Sequence, residues 1–237
     1  ACLQKNIFLY RKLVSTHNLF GSDNSYNFTD RGIVIIMLQI FRVFLLALSS
    51  FLVISQSQGE TIIYELEEKK YGKSKVPIEI IFPSNPIRTP IPLIITQHGS
   101  TRDAGNLSKS IVQTDEYSMR LVKVANETGF AIAVIDAFFN KGLESYQKLK
   151  FPNAAVYGRQ VAAKLSENKK LDPNNFFYTG FSYGAHQALM MFKKLEFLDN
   201  LKWAGVVAAE PPCTTFVEPQ KFPVPLLILK GGESHYT

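Results

Sequence analysis

A chain of 237 residues, 46% hydrophobic and 19% charged, is long enough for one domain with a buried core and too apolar to be disordered or fibrous. Its formal charge of +6 is spread in short pairs (Lys69-Lys70, Lys169-Lys170, Lys193-Lys194) among Glu and Asp, which makes a solvated surface. A nucleic-acid partner is therefore not expected. Cys2 and Cys213, with His17, His98, His186 and His235, show neither C-x-x-C nor H-x-x-x-H spacing, so neither a metal nor a cofactor is expected.

Residues 1–32 keep no sustained period, and residues 1–36 are expected to lie upstream of a true start at Met37. Residues 37–57 then combine Arg42, an apolar run from Val43 to Ile54, and the small polar stretch Ser55-Gln56-Ser57. This is the pattern of a secretory signal peptide cleaved near Ser57. The competing reading is a membrane anchor beginning at Ile33, which would hold Arg42 near the bilayer centre at a cost of about 2.5–3.5 kcal/mol. On either reading residues 58–237 lie outside the cytoplasm. A periplasmic or secreted domain is expected, touching a membrane only if the segment stays uncleaved.

Within residues 58–237 the patterns alternate. Thr61–Glu67 and Val76–Phe82 read as amphipathic antiparallel strands joined at Gly72. After a proline-rich link, Pro92–Gln97 is a continuous apolar strand. Asp115–Thr128 is a helix, Phe130–Ile135 a strand, Asn153–Lys169 a helix, Asn175–Thr179 a strand and Ala185–Lys194 a helix. Trp203–Ala209 and Val224–Leu229 are two more apolar strands. Strands apolar on both faces between amphipathic helices predict an α/β domain, its mostly parallel sheet covered by helices on both faces. Chemistry in such sheets sits at the C-terminal ends of the strands. The chain ends soon after the last strand, and the domain is read as truncated there.

Those strand ends carry a constellation. Gly180-Phe181-Ser182-Tyr183-Gly184 is a G-x-S-x-G motif between an apolar strand and a helix, which places a serine hydroxyl on a sharp turn. Ser182 is the candidate nucleophile, with the Tyr183 N–H at the helix start as one oxyanion donor. Gln97-His98-Gly99-Ser100 follows an earlier strand and supplies the second donor near Gly99 and Ser100, with His98 orienting the loop. His186 reads as packed or surface. The candidate acid is Glu233, after the last strand, with Glu210 as the alternative. The base histidine is expected after a further strand and helix, beyond Thr237; His235 lies too close to the acid loop to replace it. Without that histidine the chain is expected to be nearly inactive. Residues 141–151 are expected to border the pocket, with Phe138, Phe139 and Tyr146 as apolar lining. Asn106 and Asn126 stand in glycosylation sequons, relevant if the source glycosylates exported proteins.

Over residues 78–237 the sequence resembles the dienelactone hydrolase-like branch of the α/β-hydrolases. The resemblance rests on the His98-Gly99 loop, the stretch from Val134 to Phe138 with Lys141-Gly142, the Gly180–Gly184 turn, Ala209–Cys213 and Leu227–Gly231. It implies an α/β-hydrolase fold, incomplete at the C-terminal end. Dienelactone hydrolases proper have cysteine where this chain has Ser182, which is similar instead to their serine-esterase relatives. Their acid position aligns with Ser234, so that Glu233 serves only by a one-residue shift. The resemblance also implies that Cys213 pairs with a cysteine beyond Thr237.

The function expected is an exported serine hydrolase acting on small-molecule carboxylic esters or related acyl compounds through a Ser182 acyl-enzyme. The alternative is a non-catalytic binding protein on the same fold, suggested by Ser234 and His235 where two carboxylates stand in the relatives.

Overall fold

The computed structural model describes residues 59–107, 110–192, 201–213 and 221–231. The expected signal segment and the acid loop with Glu233, Ser234 and His235 lie outside them. No described helix is long and apolar enough to cross a membrane.

The first two strands, β1 (Gly59–Glu68) and β2 (Gly72–Ile81), form an antiparallel hairpin in unbroken register from Gly59 opposite Ile81 to Glu68 opposite Gly72. The turn is made by Gly72 at φ +58°, a conformation that side chains disfavour. Then come β3 (Ile91–Gln97), α1 (Glu116–Thr128), β4 (Ala131–Ile135), α2 (Ala154–Leu165), β5 (Leu171–Phe181), α3 (Tyr183–Met191), β6 (Trp203–Ala209) and β7 (Leu226–Leu229). These strands make one sheet in the order β1-β2-β4-β3-β5-β6-β7, antiparallel at β1/β2 and β2/β4 and parallel at every later pairing. That is the strand order of the α/β-hydrolase fold.

The continuous apolar runs are the central strands. All five residues of β4 are buried, and they alternate between two cores. Ala131, Ala133 and Ile135 pack on the face covered by α2, with Tyr157, Val161 and Leu165. Ile132 and Val134 pack with Ala125 of α1 on the other face. A strand with water on neither side needs no polar alternation, which is why its sequence shows none.

Several boundaries move from their predicted places, two of them in the strand and helix that flank Ser182. β5 begins at Leu171 instead of Asn175, because a bulge lets Leu171 pair with Ile91 while Phe176 pairs with Leu93. Asp172 closes that bulge, accepting from Asn174 N–H and the Asn175 side chain and pairing with Arg88 at 2.8 Å. α3 starts at Tyr183, two residues ahead of the predicted start, and so abuts Ser182 directly.

Candidate active site

Ser182 joins the end of β5 to the start of α3 at φ +51° and ψ −107°. Such a backbone in a residue with a side chain costs about 1–3 kcal/mol and persists only where its surroundings dictate it. Here they do. Ser182 N–H bonds Ala209 O at the end of β6 (2.9 Å), and Ser182 O accepts from His186 N–H, opening the helix (2.9 Å). The flanking glycines are sterically obligatory. A Cβ on Gly180 would lie 2.4 Å from Gly184 C, and one on Gly184 would lie 2.2 Å from Gln97 O. The turn is therefore pressed against the end of β3, where the second loop begins. Tyr183 N–H belongs to the first helical turn and has no helical carbonyl to bond. Its phenol is buried and donates to Pro152 O (2.6 Å).

Ser182, Tyr183 and Ser100 line one cavity of about 400 Å³, together with Lys148, Phe151, Pro152, His186, Gln187 and Pro212. A larger cavity of about 770 Å³ adjoins it, sharing Phe151, Pro152, His186 and Gln187. The space beside the serine is thus of a size suited to small molecules.

The loop after β3 is built differently from expectation. Gly99 N–H donates to the buried Asp115 carboxylate at 2.5 Å, so it is not available to an oxyanion. Ser100 is the residue of this loop that reaches the cavity, and no described residue takes its N–H. The donor assignment narrows from Gly99 and Ser100 to Ser100. His98 is fully buried and outside the cavity lining; its Nδ1–H donates to Gly99 O (2.6 Å) and its ring meets Phe138 edge-on at 4.6 Å. Burial holds the imidazole below its usual pKa of 6.5, outweighing the pull of Asp136, whose Oδ1 is 3.8 Å from Nε2. Arg102 already neutralises that carboxylate at 2.9 Å, so His98 stays neutral.

The three aromatics predicted to line the pocket do not line it. Phe138 is a core residue packed against Phe151 (4.7 Å) and Tyr183 (5.3 Å), behind the cavity wall. Its inward turn is set by Asp136, which accepts from Phe138 N–H (3.1 Å). Phe139 is half-buried and not among the residues lining the cavity, and Tyr146 is 79% exposed on a surface turn closed by Gln147 N–H to Glu144 O. Residues 141–151 do border the cavity, through Lys148 and Phe151. Lys148 and Gln187 were missed by sequence reasoning, since neither belongs to a motif. Gln187 Oε1 accepts from Ala155 N–H (3.1 Å), tying α3 to the first turn of α2.

Glu210, the alternative acid, follows β6 at φ +53° with its N–H on Leu229 O (2.8 Å). Its carboxylate accepts from Gly231 N–H and stands 3.6 Å from Lys230 Nζ. It thus ties the end of β6 to Lys230 and Gly231, just after β7. His186 lines both cavities within one turn of Ser182.

No known family model matches the chain, and no curated protein matches it. Among solved structures it is similar to several α/β-hydrolases. A bacterial heroin esterase is 19% identical, with a TM-score of 0.48 over 73% of this chain and 50% of that one. Lipase A from Candida antarctica in its closed state is 13% identical, with a TM-score of 0.49 over 66% and 38%. A presumed dienelactone hydrolase from Klebsiella pneumoniae is 16% identical, with a TM-score of 0.45 over 70% and 65%. The chain spans less than two thirds of the length of each of the three.

Proposed function

We propose that this protein is a serine hydrolase that cleaves small carboxylic esters through an acyl-enzyme on Ser182. One observation carries the reading: a serine held at φ +51° between two sterically obligatory glycines, opening onto a cavity. Backbone strain of this kind persists at functional sites. Ser182 Oγ attacks the acyl carbonyl, whose electron pair moves onto its oxygen. Tyr183 N–H and Ser100 N–H stabilise that oxyanion, each worth about 10²–10³ in rate by comparison with other oxyanion donors. A histidine outside the described residues takes the serine proton and passes it to the leaving alkoxide, oriented by Glu233 or Glu210. Water then releases the acid and restores Ser182. Phe151, Pro152 and Pro212 offer apolar contact for a small acyl or alcohol group. Export rests on the signal-like residues 37–57.

The test is covalent labelling by a fluorophosphonate of the full-length protein, with its base histidine in place, beside Ser182→Ala. The expected result is one label per chain, lost in the variant. A folded protein that takes no label overturns the proposal and favours the binding-protein alternative.

A further inference from the structure

Two buried carboxylates hold the loop that carries Ser100, one at each end. At the near end, Asp115 is 3% exposed; its Oδ2 accepts Gly99 N–H (2.5 Å) and its Oδ1 accepts Ser118 N–H (2.9 Å). The second bond caps α1, so the group that holds the loop is fixed to a helix. That helix start is itself pinned to the sheet. Tyr117 Oη meets Thr179 Oγ1 of β5 at 2.6 Å and stacks on Phe181 at 5.9 Å, while Ser118 Oγ meets Thr96 Oγ1 of β3 at 3.2 Å. Gly99 is packed so tightly here that a Cβ would lie 3.2 Å from both Asp115 Oδ2 and Phe181 Cδ1.

At the far end, Asp136 is fully buried at the C-terminal end of β4. Arg102 Nη1 reaches both of its oxygens, at 2.9 and 3.0 Å, and Phe138 N–H and Gln113 N–H complete its shell at 3.1 and 3.2 Å. Between these anchors only Ser100 and Thr101 remain. Buried charges satisfied this fully are rigid fixtures, because moving any partner strands a carboxylate out of water.

We propose that Asp115 and Asp136 are positioning residues, clamping Gly99 and Arg102 so that Ser100 keeps its N–H at the wall of the Ser182 cavity. Neither carboxylate lines that cavity, so each acts only through the loop. The inference rests on Ser182 being the nucleophile.

The discriminating variant is Asp115→Ser. Serine still caps a helix but has no second oxygen for Gly99. Its fluorophosphonate labelling is expected to slow about 100-fold at saturating probe, with probe affinity and melting temperature near those of the parent, since small misplacements of catalytic groups cost about that much. Amide exchange at Gly99 and Ser100 is expected to accelerate. Arg102→Met should slow labelling likewise, and Arg102→Lys should recover part of it, because one ammonium can serve both Asp136 oxygens. Parental labelling rates in Asp115→Ser and Arg102→Met overturn the proposal. If Asp115→Ser melts early, the contrast of Arg102→Met with Arg102→Lys decides. If the parent itself takes no label, the serine-hydrolase reading falls. Amide exchange then decides the clamp, and unchanged exchange in Asp115→Ser overturns it.

Discussion

Gly184 lies directly beneath the carbonyl of Gln97, so close that a methyl group on it would stand 2.2 Å from that oxygen. The contact joins the serine turn to the end of the strand preceding the Ser100 loop, and thereby fixes the spacing between the two proposed oxyanion donors. The obstacle is backbone, which cannot rotate aside. At Gly158 the corresponding clash is with the Tyr178 ring, at 2.4 Å, and a side chain can shift. Gly184→Ala is therefore expected to cost more stability than Gly158→Ala, on the order of 3 kcal/mol against 1–2 for overpacking of a side chain. Denaturant midpoints of the two variants check the order, and the reverse order would refute the account.

Ser182→Gly is expected to abolish fluorophosphonate labelling and yet raise stability by about 1 kcal/mol. Relief of the strained φ of +51° returns about 1–3 kcal/mol, while the greater freedom of unfolded glycine takes back about 0.5–1. Ser182→Ala keeps the Cβ and hence the strain. Its labelling should vanish with no such gain, so the difference in melting temperature between the two variants isolates the backbone term.

The sheet was legible because its central strands are continuous apolar runs and its helices carry the complementary period. The serine turn was legible for a local reason, since five consecutive residues hold both the hydroxyl and the two glycines it requires. What depends on distant contacts was not. Gly99 reads as an oxyanion donor until Asp115, sixteen positions later in the sequence, is seen to take its N–H. Asp115 reads in the sequence only as the first residue of a helix. Phe138, Phe139 and Tyr146 occupy a stretch without period, where nothing local says which ring turns inward. The β5 start was hidden by Asp172, Pro173 and Asn174, turn formers that the strand absorbs as a bulge.

Tyr183→Phe separates the backbone of this residue from its side chain. The phenol donates to Pro152 O at 2.6 Å in a buried setting, and its loss removes one of two bonds to that carbonyl, which keeps Ala154 N–H at 3.1 Å, costing about 0.5–1.5 kcal/mol. The proposed catalytic donor is the N–H, which the substitution keeps. Labelling at saturating probe should therefore stay within about threefold of the parent, against the 10²–10³ typical of a lost oxyanion donor. A larger fall would mean that the ring, not the amide, serves the reaction.

His98 is expected to make the fold acid-sensitive. Burial holds its folded pKa below 6.5, with Arg102 acting in the same direction, while Asp136, the Gly99 carbonyl and Asp115 pull the other way and lose. A depressed histidine means that the unfolded chain binds the proton first. Stability is complete above about pH 6.5 and declines as the pH falls from there toward the folded pKa, by at most about 1.4 kcal/mol per pH unit from this group. Denaturant midpoints between pH 7.5 and 5.5 measure the slope. His98→Gln should lie lower throughout, having lost a fitted buried ring, but its slope should be shallower, because the contributions of the other histidines cancel in the comparison. An unchanged slope would mean that His98 is protonated in the folded protein, paired with Asp136 across the 3.8 Å that separates them.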